Sequence, residues 1–180
     1  MSIEEFKRVA KLRQRSEELA SELQEKSTAR TQAVLDDFRA RAVRFLEENG
    51  FDVQHVHDQL HATYAGSILD IELPQADKPL IGAFAIVELT LNKRARSRLA
   101  LVPPVSPPLT QRVFVKQPTE AERLENDIAG LEAAIAKYNV AAIYTVQYFV
   151  NKPQPSPQEA KGVMFNTPEE AITAVLQSGG

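Results

Sequence analysis

A chain of 180 residues with a net charge of −3 has room for one domain and an appendage, and its surface as a whole does not address nucleic acid or anionic lipid. Hydrophobic and charged shares of 43% and 25% are ordinary globular values. The lack of cysteine excludes disulfide frameworks, thiolate zinc sites and cysteine nucleophiles together. The opening Met-Ser-Ile-Glu-Glu-Phe puts acids where a signal peptide needs a basic start, and no stretch approaches the roughly 20 apolar residues of a membrane span. The expectation is a cytoplasmic protein with no membrane contact.

Residues 2–49 contain neither Pro nor Gly and are dominated by good helix formers, so the first element reads as one long helix, stopped by Asn49-Gly50. Val9, Leu12, Ser16, Leu19 and Leu23 follow the 3-4 spacing of a coiled-coil seam. Leu35, Phe38, Ala42 and Phe45 repeat that spacing two residues out of register, across a polar interruption at Lys26, Ser27, Thr28, Arg30 and Thr31. At about 1.5 Å per residue such a helix spans about 70 Å, twice the roughly 35 Å diameter of a domain built from the remaining residues. Its overhanging half, with Val9, Leu12, Leu19 and Leu23, is therefore expected to be an oligomerisation arm. A hairpin folded back at residues 26–31 is the intramolecular alternative. Lys7, Arg8, Lys11, Arg13 and Arg15 bunch near the start, but Glu17, Glu18 and Glu22 dilute their field.

Beyond Gly50 the pattern alternates. Residues 51–57 predict a short strand and 60–73 a longer one, bent at Gly66, with Leu69, Ile71 and Leu73 facing opposite Asp70 and Glu72. Residues 74–79 carry two prolines and predict a turn. Residues 80–91 are the most apolar and predict a central strand. A polar loop at 92–98 leads into 99–102, a proline-rich extended connection follows at 103–108, and 111–116 predicts another short strand.

Thr119 with Glu122 forms a capping box for a second helix, whose stripe is Leu124, Ile128, Leu131, Ile135 and Tyr138, ending near Asn139. Residues 140–150 predict a long strand and 151–162 a proline-rich loop. Thr167-Pro168-Glu169-Glu170 then combines an N-cap, Pro at the first helical position and a capping-box Glu, opening a short helix to about residue 177. The expected fold is α+β: a long N-terminal helix, then a mostly antiparallel sheet of about five or six strands with two further helices packed on it. The expected division is residues 1–49 as the helix and 50–180 as a single domain.

Three constellations could carry chemistry. His55, His57 and His61 lie beside Asp52 and Asp58, and His-x-His on a strand presents two imidazoles to one metal, which would suit a metal-dependent hydrolase. Against this, Gln59 and Leu60 stand where metallo-β-lactamase-like hydrolases continue with Asp and His. Asp70, Glu72 and Glu88 on neighbouring strands could hold a divalent ion as nucleases do, but Leu89-Thr90 follows Glu88 where a Glu-x-Lys lysine is needed. Lys93, Arg94, Arg96 and Arg98 form a basic hairpin tip able to grip phosphates, without an aromatic platform for single strands. Tyr138, Tyr144, Tyr148, Phe149 and Phe84 read as core.

The leading functional expectation is a non-enzymatic interaction protein (an adaptor, an assembly chaperone or an inhibitor). It would self-associate as a dimer through its first helix and present its sheet to another protein. A nucleic-acid-binding factor using the 93–98 loop is the alternative, and a metal-dependent enzyme at the histidines the third reading. No cofactor is expected.

Overall fold

The computed structural model describes residues 2–77, 82–104, 119–136, 138, 141–149 and 163–178. The first helix, α1 (Ile3–Glu48), is continuous through the polar stretch; side chains of Lys26, Ser27 and Thr28 lie along it without a Gly or Pro to break the backbone ladder. Both of its ends are closed by side chains or turn geometry. Glu5 N–H donates to Ser2 Oγ at 3.1 Å while Ser2 N–H donates to Glu5 Oε2 at 3.3 Å, a reciprocal capping box. At the other end Gly50 takes φ 82°, with Gly50 N–H on the Glu47 carbonyl at 2.9 Å and Phe51 N–H on the Leu46 carbonyl at 3.0 Å. This is the Schellman pattern, in which a left-handed residue ends the helix.

Two compact units divide the chain: Met1–Arg30 with Pro107–Val140, and Thr31–Ser106 with Ala141–Gly180. The boundary thus falls within α1, at the change of phase in its apolar stripe.

In the second unit seven strands form one antiparallel sheet in sequence order: β1 (Asp52–Val56), β2 (Gln59–Tyr64), β3 (Ser67–Glu72), β4 (Ala85–Leu91), β5 (Ala95–Val102), β6 (Thr145–Phe149) and β7 (Val163–Phe165). The stretch expected as one bent strand at 60–73 is a hairpin. Ala65 and Gly66 both take positive φ, 47° and 86°, as a two-residue turn matched to strand twist requires. The expected loop at 92–98 shrinks to a turn at Asn92, Lys93 and Arg94, so Arg96 and Arg98 lie on β5. Asn92 ties that turn to β3, its Oδ1 accepting from Ile68 N–H at 2.9 Å and its N–H donating to the Ile68 carbonyl at 2.8 Å. β4 and β6 begin later than expected, at Ala85 and Thr145, and β7 was not foreseen. The expected strand at 111–116, the prolines at 105–108, the cap Asn139 and the loop at 151–162 lie outside the described residues.

One sheet face carries the core. Leu60, Leu69, Ile71, Val87, Leu89, Leu99, Leu101 and Val146 are fully covered by Val34, Phe38, Ala42 and Leu46 of α1 and by Ala171, Ile172 and Val175 of α3 (Pro168–Ser178). The residues of α1 follow the 3-4 periodicity that turns one helical face to the sheet. Tyr144 and Tyr148 also belong to this core, and their hydroxyls find partners as buried phenols must. Tyr148 OH lies 3.2 Å from Ser178 Oγ and 3.4 Å from Ser97 Oγ. Tyr144 OH donates to Asp37 Oδ2 at 2.8 Å, and burial followed by that carboxylate pushes the phenol pKa far up.

A bidentate pair fixes α3 to α1. Arg41 donates from Nε and Nη2 to the two carboxylate oxygens of Glu169 at 2.8 and 2.7 Å, the fork geometry in which guanidinium and carboxylate interact most strongly. Partial burial pushes the Glu169 carboxyl up. The hydrogen bonds from Arg41, from backbone N–H and from Thr167, with the guanidinium charge, outweigh it and hold the group below its ordinary value.

Two outcomes follow. Phe38→Ala, at a site with no exposure, is expected to cost about 3–5 kcal/mol of stability in urea unfolding. Glu47→Ala on the exposed side of the same helix should stay within about 0.5 kcal/mol. Because Glu169 has a lowered folded pKa, its contribution is present above the unfolded value of about 4.3 and is lost as pH falls through the folded one. Urea midpoints at pH 6 and pH 3 should therefore converge more for Glu169→Gln than for the natural chain.

Candidate functional site

The first unit pairs the N-terminal half of α1 with α2 (Glu120–Ala136). The capping box expected at the start of α2 is formed: Glu122 N–H donates to Thr119 Oγ1 at 3.3 Å, and Thr119 N–H to Glu122 Oε2 at 2.8 Å. That backbone N–H and the Thr119 hydroxyl lower the Glu122 pKa. Ion pairs fix the direction of the two helices. Arg8 meets Glu125 at 2.5 Å and Arg15 meets Glu132 at 3.3 Å, both 117 positions apart. Arg13 meets Glu120, 107 positions apart. Farther along, the Arg30 guanidinium stands 5.8 Å from the centre of the Tyr138 ring. The Arg8–Glu125 and Arg15–Glu132 pairs advance together, as do Arg13–Glu120 and Arg30–Tyr138, so α1 and α2 run parallel overall, although Arg8 reaches forward to Glu125 and Arg13 back to Glu120.

Both helices carry an apolar stripe, Val9, Leu12, Leu19 and Leu23 on α1 and Leu124, Ile128, Leu131 and Ile135 on α2. The ion pairs join charged side chains of the two helices. They are solvent-exposed, so salt screens them, and they set register more than stability. The Arg13 guanidinium holds the Glu120 carboxyl below the usual range by hydrogen bond and charge.

Val9 and Leu19 are buried inside their own chain, 6% and 3% exposed, and Leu12 and Leu23 are half-buried. α1 runs without a break through residues 26–31, so no hairpin folds there. The helix that the ion pairs set alongside this half of α1, α2, lies between β5 and β6 in sequence. No residue of α2 is fully buried, and Leu124, Ile128, Leu131 and Ile135 all remain part-exposed.

The histidines do not converge. His55 pairs with Leu60, so its side chain shares the core-bearing face of the sheet at its rim, while His61 pairs with Gln54 on the opposite face. Antiparallel partners point the same way, and neighbours alternate. His57 does not continue the strand; it takes φ 56° in the β1–β2 turn, which ends the same-face relation to His55 assumed for a His-x-His ligand pair. His61 Nδ1 lies 2.6 Å from Asp70 Oδ1. Among the described residues no three of His, Asp and Glu stand close enough to hold a metal ion.

The open sheet face carries Asp70, Glu72, Glu88, Arg96 and Arg98. Register sets Glu72 directly opposite Glu88 and Glu88 opposite Arg98, and Arg98 Nε donates to Glu88 Oε1 at 2.9 Å. Like charges facing across a ladder are unfavourable, and the arginine offsets them. Of the four cations expected at the tip, Lys93 and Arg94 sit at the turn, Arg96 lies on the strand beside Thr90, and Arg98 is engaged by an acid.

What sequence reasoning missed was that α2 lies alongside the N-terminal half of α1 and is joined to it by ion pairs. The signal was arginines along one helix and glutamates along the other. In comparisons with protein-family models, curated proteins and solved structures, the chain matches none.

Proposed function

We propose that the protein is a non-enzymatic protein-binding protein (adaptor, assembly chaperone or inhibitor) whose α1–α2 pair associates with a second copy. The observation that carries this reading is the outward side of α2. From Ala129 to Ala136 its sequence is Ala-Gly-Leu-Glu-Ala-Ala-Ile-Ala, with one charge, and Ala129, Ala133, Ala134 and Ala136 are exposed. The outer face of a solvated helix pair ordinarily carries Glu, Lys and Arg. Small residues instead let another helix approach closely, at the short end of the usual ~8–10 Å interaxial range.

Two helices cover each other along one line only. Four cover a core, and joining two pairs would remove the part-exposed Leu124, Ile128, Leu131 and Ile135 from water. Val9, Leu12, Leu19 and Leu23 then act indirectly, by holding α2 in place to offer its small-residue side. Ile3 and Phe6, 77% and 64% exposed near the start of α1, extend the apolar surface of the same unit.

Light scattering on the full chain tests this. The natural protein is expected to give the mass of two subunits, and Ala133→Glu with Ala136→Glu the mass of one, with unchanged helix content by circular dichroism. A one-subunit mass for the natural chain at tens of micromolar would sink self-association.

A further inference from the structure

The rims of the sheet are β1 and β7 (Val163–Phe165). β1 has five residues in unbroken one-to-one register with β2, with no proline, lysine or bulge. In the two-residue β1–β2 hairpin, Val56 and Gln59 close the ladder. Alternation then turns the N–H and C=O groups of Asp52, Gln54 and Val56 toward β2, and those of Val53 and His55 outward. Among the described residues nothing hydrogen-bonds those outward groups.

Charge says what fits there. Asp52 and Asp58 stand at this rim, and Glu72 lies across β2. All three are exposed, and no cation among the described residues pairs with them. Asp58, Gln59, Glu72 and Gln75 line an open depression of about 490 Å³ at the end of β1. A second copy of the same rim would set acid against acid. On the core side Val53 is half-buried against the hydrophobic cluster and offers an apolar neighbour.

We infer that β1 is a docking edge for an extended peptide segment in which lysine or arginine alternates with apolar residues. The segment adds an eighth, antiparallel strand. Its backbone pairs with Val53 and His55, its apolar side chains lie beside Val53, and its cations lie on the face of Asp52 and Glu72 and reach Asp58. Main-chain bonds supply the affinity, and the alternation selects the ligand.

The probe is a fluorescein-labelled Lys-Val-Lys-Val-Lys-Val-Lys peptide, its Glu-for-Lys counterpart, and two N-methylated forms, titrated against the full chain by anisotropy. Residues opposite Val53 and His55 make the backbone bonds, so N-methylation at the valines should weaken binding at least tenfold, and at the lysines less than threefold. Asp58→Asn with Glu72→Gln should also weaken the Lys peptide at least tenfold, and the Glu peptide should not bind. Equal binding of the two N-methylated forms, equal binding of the Lys and Glu peptides, or no binding of the Lys peptide overturns the inference. An unchanged affinity in the Asn/Gln variant overturns it too. The anisotropy readout stands apart from subunit mass, so either idea can fail alone.

Discussion

Removal of Val34, Phe38, Ala42 and Leu46 from water against Leu69, Ile71, Leu89 and Leu99 is the contact on which the sheet-bearing unit depends. A sheet of seven strands with one apolar face does not stand alone; a helix must lie on that face. The same helix continues toward its N-terminus with a second stripe of different phase, where Val9 and Leu19 are again buried. Continuity of α1 is thus a consequence of two separate burials served by one uninterrupted backbone.

Polar groups at this core are arranged so that few are left to chance. Arg41 and Glu169 join α1 to α3, Asp37 receives the Tyr144 hydroxyl, and Tyr148 stands between Ser97 and Ser178. Each of these bonds costs desolvation that only good geometry offsets. Their effect is to define one seating of α3 and of the approach to β6, where apolar contacts alone would accept several. The open face works differently: His61 with Asp70 and Glu88 with Arg98 pair across strands in water, while Glu72 on the same face has no cation among the described residues.

Much of this architecture was legible because local chemistry announced it. Thr119 and Glu122, Thr167 and Pro168, and Asn49-Gly50 mark helix ends by the bonds those side chains and that glycine make, and all three are used. The α+β class followed from the change of period after Gly50. Other features were opaque for stated reasons. Ala65 is an unusual residue for a left-handed turn, so the hairpin at Gly66 looked like a bend. A three-residue strand such as β7 carries too little alternation to register. An apolar stripe says that it needs cover and is silent about who provides it, so Val9 and Leu19 do not by themselves name what lies against them. The histidines illustrate the converse, since His55 and His57 share a face only if the strand runs through both.

The helix α2 is, in connectivity, the loop of a hairpin: β5 and β6 are neighbours in the ladder, yet residues 103–144 intervene. Closing so long a loop carries an entropic cost that the tight turns joining β1 to β2, β2 to β3 and β4 to β5 do not. The meander from β1 to β5 can zip locally, whereas β6, and with it β7 and α3, must be recruited across a gap. Pairing β6 onto β5 therefore carries a closure cost that the local hairpins do not, and the Tyr144–Asp37 and Arg41–Glu169 bonds hold the segment beyond that gap to α1.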